Sequence, residues 1–178
     1  MQRHIIQIGN ELLRTKSNEI DLEYFNSTKF ETLKSDLLDT LRAQKLGIAI
    51  SAVQIAEPYR LFLIEIIPRP NQTNIKAFGP KFFINPEITS VSDKTKSMVE
   101  GCLSVFNSEL FGSVVRPEKI VLKYLDETFT EITEEYDGMF ARAIQHEIDH
   151  LNGILFTDIV DTKSISSLEE YKKARNKL

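Results

Sequence analysis

The chain has 178 residues, a formal net charge of −4 at neutral pH, three histidines and one cysteine. This length suits one domain with a real core, and 42% hydrophobic with 27% charged residues excludes disordered and fibrous classes. The acidic balance argues against direct DNA binding, which needs a clustered excess of Lys and Arg.

The opening MQRHIIQIGN holds only a short apolar run interrupted by Gln7. Signal peptides and membrane spans need roughly 7–15 and 18 or more apolar residues, so no membrane contact and a cytoplasmic location are expected. Residues 28–46 predict a helix, with Thr28 and Glu31 as a capping box and Phe30, Leu33, Leu37, Leu38 and Leu41 at helical spacing. Gly47 can end it, and GIAISAVQI then reads as extended. RLFLIEII (60–67) predicts a buried strand, IPRPNQTNIKAFGP a loop, and FFINPEI a strand broken by Pro86 or placed by it at a sheet edge. Residues 119–125 and 129–136 alternate about the turn-like Asp126-Glu127-Thr128 and predict a hairpin. Asp137-Gly138 open a helix to about Asn152, stopped by Gly153, and Ser166 with Glu169 cap a charged helix at about 164–178. Helix, then strands, then helices points to a single α+β domain over 1–178 rather than a doubly wound sheet.

The penultimate helix carries QHEIDH (145–150). At about 100° per residue, His146 and His150 lie about 40° apart, so both imidazoles can reach one ion, and Glu147 can reach a water on it. Phe140, Ile144, Ile148 and Leu151 make the helix largely buried, with Arg142, Gln145 and Asp149 as its polar side. A catalytic site of this kind needs a third protein ligand. In H-E-x-x-H-x-x-G-x-x-H proteases it is a histidine, but Phe156 stands there. Glu169 and Glu170 sit in LEEYKKARNKL, which reads as a solvated helix face. Cys102, in VEGCLSV, is either inert packing or a ligand. Gly101 beside it permits close backbone approach, and Glu100 needs a partner if buried.

Three segments, in order, resemble the motifs of the peptide deformylase family: GIAISAVQ (47–54) for G-x-G-x-A-A-x-Q, EGCLS (100–104) for E-G-C-L-S, and QHEIDH for Q-H-E-x-D-H. The stretches IIQIGNELLRTKS, VRPEKIVLKYLD and HLNGILFTD extend the likeness at least through Asp158. The resemblance implies an α+β fold whose strands form a peptide cleft around the metal-binding helix. It implies one divalent ion on Cys102, His146 and His150, ferrous iron in the cell with nickel, cobalt or zinc as substitutes. Glu147 is then general base and acid, and the Leu103 backbone N–H and Gln54 amide stabilise the oxygen that gains charge. Gly47, Ile48, Ala49 and Gly101 lie beside the substrate. The substrate is a formyl-methionyl nascent peptide, formate is released, and the compartment is bacterial cytoplasm or its organellar equivalent. A thiolate ligand lowers Lewis acidity and leaves ferrous iron open to oxidation.

The chain departs from the pattern at Ala49, which replaces a glycine, at Ser51, which replaces an alanine, and in VFNSELFGSVVRPEK, where most members have a proline after EGCLS. Phe106, Leu110 and Phe111 either line the methionine pocket or fill the core. Arg116 is the expected partner of Glu100, bracing the cysteine loop, with a surface arginine as the plain alternative. Asp149 is expected to solvate the helix or pair with Arg142, and His4 to be structural or exposed. Ser104 has no recognisable triad partners. The departures motivate two other functions: a weakened relative that binds peptides, or a deacylase of altered acyl or peptide preference. The charged C-terminal helix is also a candidate ribosome contact.

Overall fold

The apolar spacing of residues 28–42 produces the first long helix. The structure, a computed structural model, describes residues 1–68 and 77–175. After a single turn, α1 (Leu22–Phe25), α2 runs Thr28–Arg42 and buries Phe30, Leu33, Leu37 and Leu41. Its cap is Ser27 rather than Thr28, for Ser27 Oγ accepts from Phe30 N at 3.3 Å, a donor the first turn cannot satisfy internally. The helix stops at Arg42, short of the expected residue 46, and Gly47 lies beyond it with φ +111°. The N-terminal segment is pinned to α2: Arg3 N donates to Thr40 Oγ1 at 2.9 Å and Arg3 Nη1 to buried Asp36 at 2.9 Å.

The strands are β1 (Ala49–Ser51), β2 (Leu61–Ile66), β3 (Phe78–Val91), β4 (Thr95–Gly101), β5 (Leu110–Pro117), β6 (Lys119–Leu125), β7 (Glu131–Asp137) and β8 (Ser166–Ser167). They form a five-stranded sheet, β1-β2-β3-β6-β7, and a three-stranded one, β4-β5-β8. Every strand pairing is antiparallel, and the parallel contact among the described residues is an isolated bridge, Asn18 to Tyr59. The larger sheet lies between α2 and the helix α3 (Gly138–Leu151). Leu61 and Leu63 share a core with α2, while Phe62 and Ile64 share one with Ala141, Ile144 and Ile148 of α3. A strand covered on both faces reads as continuously apolar, which is why LFLI lacks alternation.

Pro86 breaks β3 without placing it at an edge. The strand's first half pairs with β2 as far as Ile84, its second half pairs with β6, and the register shifts between Ile84 and Glu87. A proline, having no N–H to give, is tolerated at such an irregularity. The β6–β7 hairpin forms as expected, its turn closed by Asp126 Oδ1 accepting from Thr128 N at 2.8 Å and Thr130 N at 3.0 Å. Of the expected loop, residues 69–76 lie outside the described residues, and Phe78–Pro80 already belong to β3.

α3 ends at Asn152 and Gly153, where φ is +77° and an added Cβ would stand 2.7 Å from the Arg14 carbonyl oxygen. On its polar side, Arg142 and Gln145 are buried rather than solvated. The last helix, α4 (Leu168–Arg175), starts after β8, and Ser167 rather than Ser166 caps it, accepting from Glu170 N at 3.3 Å. Residues 176–178 of the expected helix lie outside the described residues, and Glu169 and Glu170 are exposed, as a solvated face requires. Among the described residues no helix is long and apolar enough to cross a membrane.

Candidate metal and catalytic site

The end of β4 meets the middle of α3. The chain leaves β4 at Gly101 and turns at once, Val105 N donating to the Cys102 carbonyl at 3.1 Å, so that the sulfur faces the helix that carries the histidines. The potential ligand atoms of Cys102, His146 and His150 all lie within 4.8 Å of one another, and Cys102 Sγ is 3.1 Å from His150 Nε2. Ligands of a tetrahedral ion with bonds of about 2.0–2.3 Å stand about 3.3–3.8 Å apart, so one sulfur and two imidazoles fit a single ion with little movement. Phe156 fills a core cluster with Cys102, its ring 6.3 Å from that of His146.

The electrostatics favour a cation at this point. Burial alone would lower the pKa of His146, but Cys102 and Glu100 together raise it well above the usual imidazole range. Burial, with the charge of His146, holds His150 well below that range, leaving it neutral with a lone pair to give. His146 Nδ1 contacts Glu100 Oε2 at 3.0 Å, which leaves Nε2 for the ion. His150 Nδ1 is buried without a partner among the described residues.

Glu100 anchors this support. Arg116 grips it from Nε at 2.7 Å and Nη2 at 3.0 Å, and Arg142 Nη1 approaches at 2.5 Å. Burial, which would raise the Glu100 pKa, is outweighed by His146 and Arg116, and the carboxyl is held at about 2. Asp149 pairs with Arg116 at 2.8 Å, rather than solvating the helix or pairing with Arg142, the two alternatives the sequence offered. Arg142 and Asp149 were legible in principle, since they stand one turn to either side of His146 on the same helix.

Around the sulfur, Ser104 N donates to Cys102 Sγ at 3.4 Å and Gln54 Nε2 lies 3.8 Å from it. Gln54 is aimed by its own loop: its Oε1 accepts from Ser51 N at 2.9 Å and Ser51 Oγ at 3.2 Å, and its Nε2 donates to Ser104 Oγ at 3.1 Å. Gln7 Nε2 donates to the Leu103 carbonyl at 3.0 Å and steadies the cysteine turn from the N-terminal segment. Burial pushes the Glu147 carboxyl up to about 7, with His146 and the Ser51 hydroxyl pulling the other way, and its Oε2 has no partner among the described residues. Glu147 and His146 line a cavity of about 320 Å³ together with Gly47, Ile48, Ala49, Gly101 and Leu103. The fold therefore brings Cys102, His146, His150, Glu147, Gln54, Glu100 and Arg116 together with Gly47, Ile48, Ala49, Gly101 and Leu103, while His4 is exposed.

Residues 2–165 match the family model described as polypeptide deformylase. The chain belongs to that family. It is 35% identical over 173 residues to a peptide deformylase of Rhodopseudomonas palustris (strain BisB18), covering 97% of this chain and 94% of the relative. It is 38% identical over 160 residues to one from Salinibacter ruber, covering 86% of this chain and 78% of that one. Among solved structures, a Met-Ala-Ser-bound class I type b peptide deformylase from Acinetobacter baumannii superposes with a TM-score of 0.82 at 28% identity, covering 90% of this chain and 99% of that chain.

The departures from the deformylase motifs are accommodated locally. Ala49 lies in β1 without the positive φ that would strain an L residue, whereas Gly47 keeps the glycine that its φ of +111° favours. The buried Ser51 hydroxyl finds its partner in Gln54. Of the three apolar residues after the second deformylase motif, Phe111 lines the cavity, Leu110 packs against the cluster around Cys102, and Phe106 is 59% exposed.

Proposed function

We propose that this cleft performs the family's reaction, hydrolysis of the N-formyl group from the initiator methionine of newly made polypeptides with release of formate. The observation that carries the reading is the convergence of Cys102, His146 and His150 within 4.8 Å beside the buried carboxylate of Glu147. Those three residues hold one divalent ion, ferrous iron in the cell, with nickel, cobalt or zinc as substitutes. When bound, the ion acts as a Lewis acid that lowers the pKa of water from 15.7 towards about 7. Glu147 takes the proton of the attacking water and passes it to the departing amine, a role suited to a carboxyl whose pKa burial has brought near 7. The Gln54 amide and the Leu103 peptide N–H face the formyl oxygen as it gains negative charge. Glu100 and Arg116 act behind the ligands, holding His146 in one tautomer.

Gly47, Ile48, Ala49 and Gly101 flank the substrate, and the apolar cavity beside them takes the methionine side chain. The family match over residues 2–165 supports a single catalytic domain; working on formylated chains places it in a bacterial or organellar cytoplasm, and the exposed charged side of α4 is a candidate ribosome contact. An intact ligand set with Glu147 weighs against a weakened peptide binder. Anaerobically purified, iron- or nickel-loaded protein is expected to release formate from formyl-Met peptides and no acetate from acetyl-Met peptides, and Glu147→Ala is expected to abolish release. Acetate release would point to a different deacylase, and no turnover by fully metallated protein would refute the reading.

A further inference from the structure

Two aromatic rings line the cavity, and one of them comes from a helix outside the three motifs. Tyr171 of α4 stacks on Phe111 of β5, with ring centroids 4.6 Å apart and planes 8° from parallel, and both line the cavity. Phe111 can take this place because Gly101 opposes it across the β4–β5 ladder, where a Cβ would stand 2.6 Å from its ring. Gly101, Phe111 and Tyr171 thus stack in layers. On α4, Leu168 and Tyr171 are the residues that are not exposed among its described side chains, a pair three apart on one face. The helix is held by its entry: Phe111 and Leu110 pair with Ser166 and Ser167 of β8, and Leu168 N donates to the Glu109 carbonyl at 2.9 Å.

We propose that α4 forms the outer wall of the methionine pocket and that Tyr171, with Phe111 fixed beneath it, determines which side chain the pocket accepts. The inference rests on the deformylase reading and deepens it. A stacked pair keeps both rings in one orientation, so the pocket presents a rigid aromatic surface at little entropic cost on binding. Thioether sulfur favours the edge of an aromatic ring at about 5 Å, which suits methionine over an aliphatic chain of equal length. A short side chain leaves the same surface uncovered and forgoes the contact. Met98 and Met139 also line the cavity, flexible side chains that adjust to the substrate and leave the rings to set the boundary. The one aromatic residue of a highly charged C-terminal helix thereby gains a role in substrate choice.

The test uses the full-length nickel-loaded protein, its Tyr171→Ala and Tyr171→Phe variants, and two substrates, formyl-Met-Ala-Ser and formyl-Ala-Ala-Ser, with calorimetric binding of the product Met-Ala-Ser as a readout independent of turnover. Loss of apolar pocket surface commonly changes discrimination by 10–200-fold, so Y171A is expected to lower kcat/KM for the methionine substrate about tenfold, through KM. Product binding weakens in parallel, and the preference for methionine over alanine narrows. Y171F, which keeps the ring, stays within about twofold of the parent. Tyr171→Leu, which keeps apolar bulk without the ring, carries the same prediction at smaller size should Y171A fold poorly by near-ultraviolet dichroism. Parent-like preference and product affinity in folded Y171A or Y171L would overturn the proposal, as would a Y171F as impaired as Y171A. Absence of formate release by the parent protein would instead refute the deformylase reading, and a parent-like product affinity in Y171A would still overturn the wall.

Discussion

Replacing Glu100 by glutamine tests whether the charge behind His146 organises the site. Glu100 and Arg116 have side chains only 5% and 6% exposed, and the carboxylate meets Arg116, Arg142 and His146 at 2.5 to 3.0 Å. Glutamine preserves the volume but offers one acceptor oxygen, and its amide donors meet guanidinium and imidazole groups that themselves donate. Asp149 alone then faces the Arg116 guanidinium, at 2.8 Å. Removing one member of a buried ion pair costs about 3–5 kcal/mol, because the partner's charge stays desolvated. For a chain of this size about 1 kcal/mol moves Tm by about 2–4 °C, so Tm is expected to fall by about 10 °C. His146 also loses the group that fixes its tautomer, which is worth about 10–100-fold in metal affinity. Scanning calorimetry and chelator competition on parent and E100Q read the two effects separately. A Tm unchanged within about 1 °C, together with unchanged metal affinity, would refute the argument that this buried network supports the ligand.

Gln54→Ala removes the side-chain donor proposed to face the formyl oxygen and is expected to lower kcat by about 10²–10³ with the metal retained, read by steady-state formate release and metal analysis. Gly153→Ala forces a methyl group to 2.7 Å from the Arg14 carbonyl at a φ of +77° and is expected to cost more than about 1 kcal/mol, seen as a lower urea midpoint. At Asp36, burial raises the carboxyl's pKa but the Met1 ammonium and Arg3 outweigh it, so the folded value lies below the ordinary 3.8. A depressed carboxylate stabilises the fold above its unfolded pKa and loses that contribution as pH falls through the folded one. Asp36→Asn is therefore expected to be less stable than the parent at neutral pH, and the gap between them to close below about pH 4 in acid-dependent denaturation.

The legible parts of the sequence were those where one short-range signal dominates. The LFLI strand, the β6–β7 alternation and the α3 face bearing His146 and His150 follow from burial on two faces, on one face and along a helical stripe respectively. Cys102 was ambiguous because a buried cysteine packs as readily as it ligates, and only its meeting with α3 separates the two. The second sheet left no clear trace: β4, TKSMVEG, is mostly exposed and polar, and β8 is two serines, so these strands are held by pairing to β5 rather than by an apolar pattern. Arg142 read only as part of the helix's polar side. Its burial follows from Glu100, which lies 42 positions away in sequence. Tyr171 was hidden in a helix dominated by charged residues, with Leu168 as its only unexposed companion among the described side chains.

X-ray absorption at the metal edge of the zinc-loaded protein reads the proposed coordination sphere of one sulfur and two nitrogens without relying on turnover. One sulfur scatterer at about 2.3 Å and two imidazole nitrogens at about 2.0–2.1 Å are expected, with the sulfur shell lost in Cys102→Ala. A shell of nitrogen and oxygen alone in the parent protein, or a sulfur shell that survives the substitution, would contradict it.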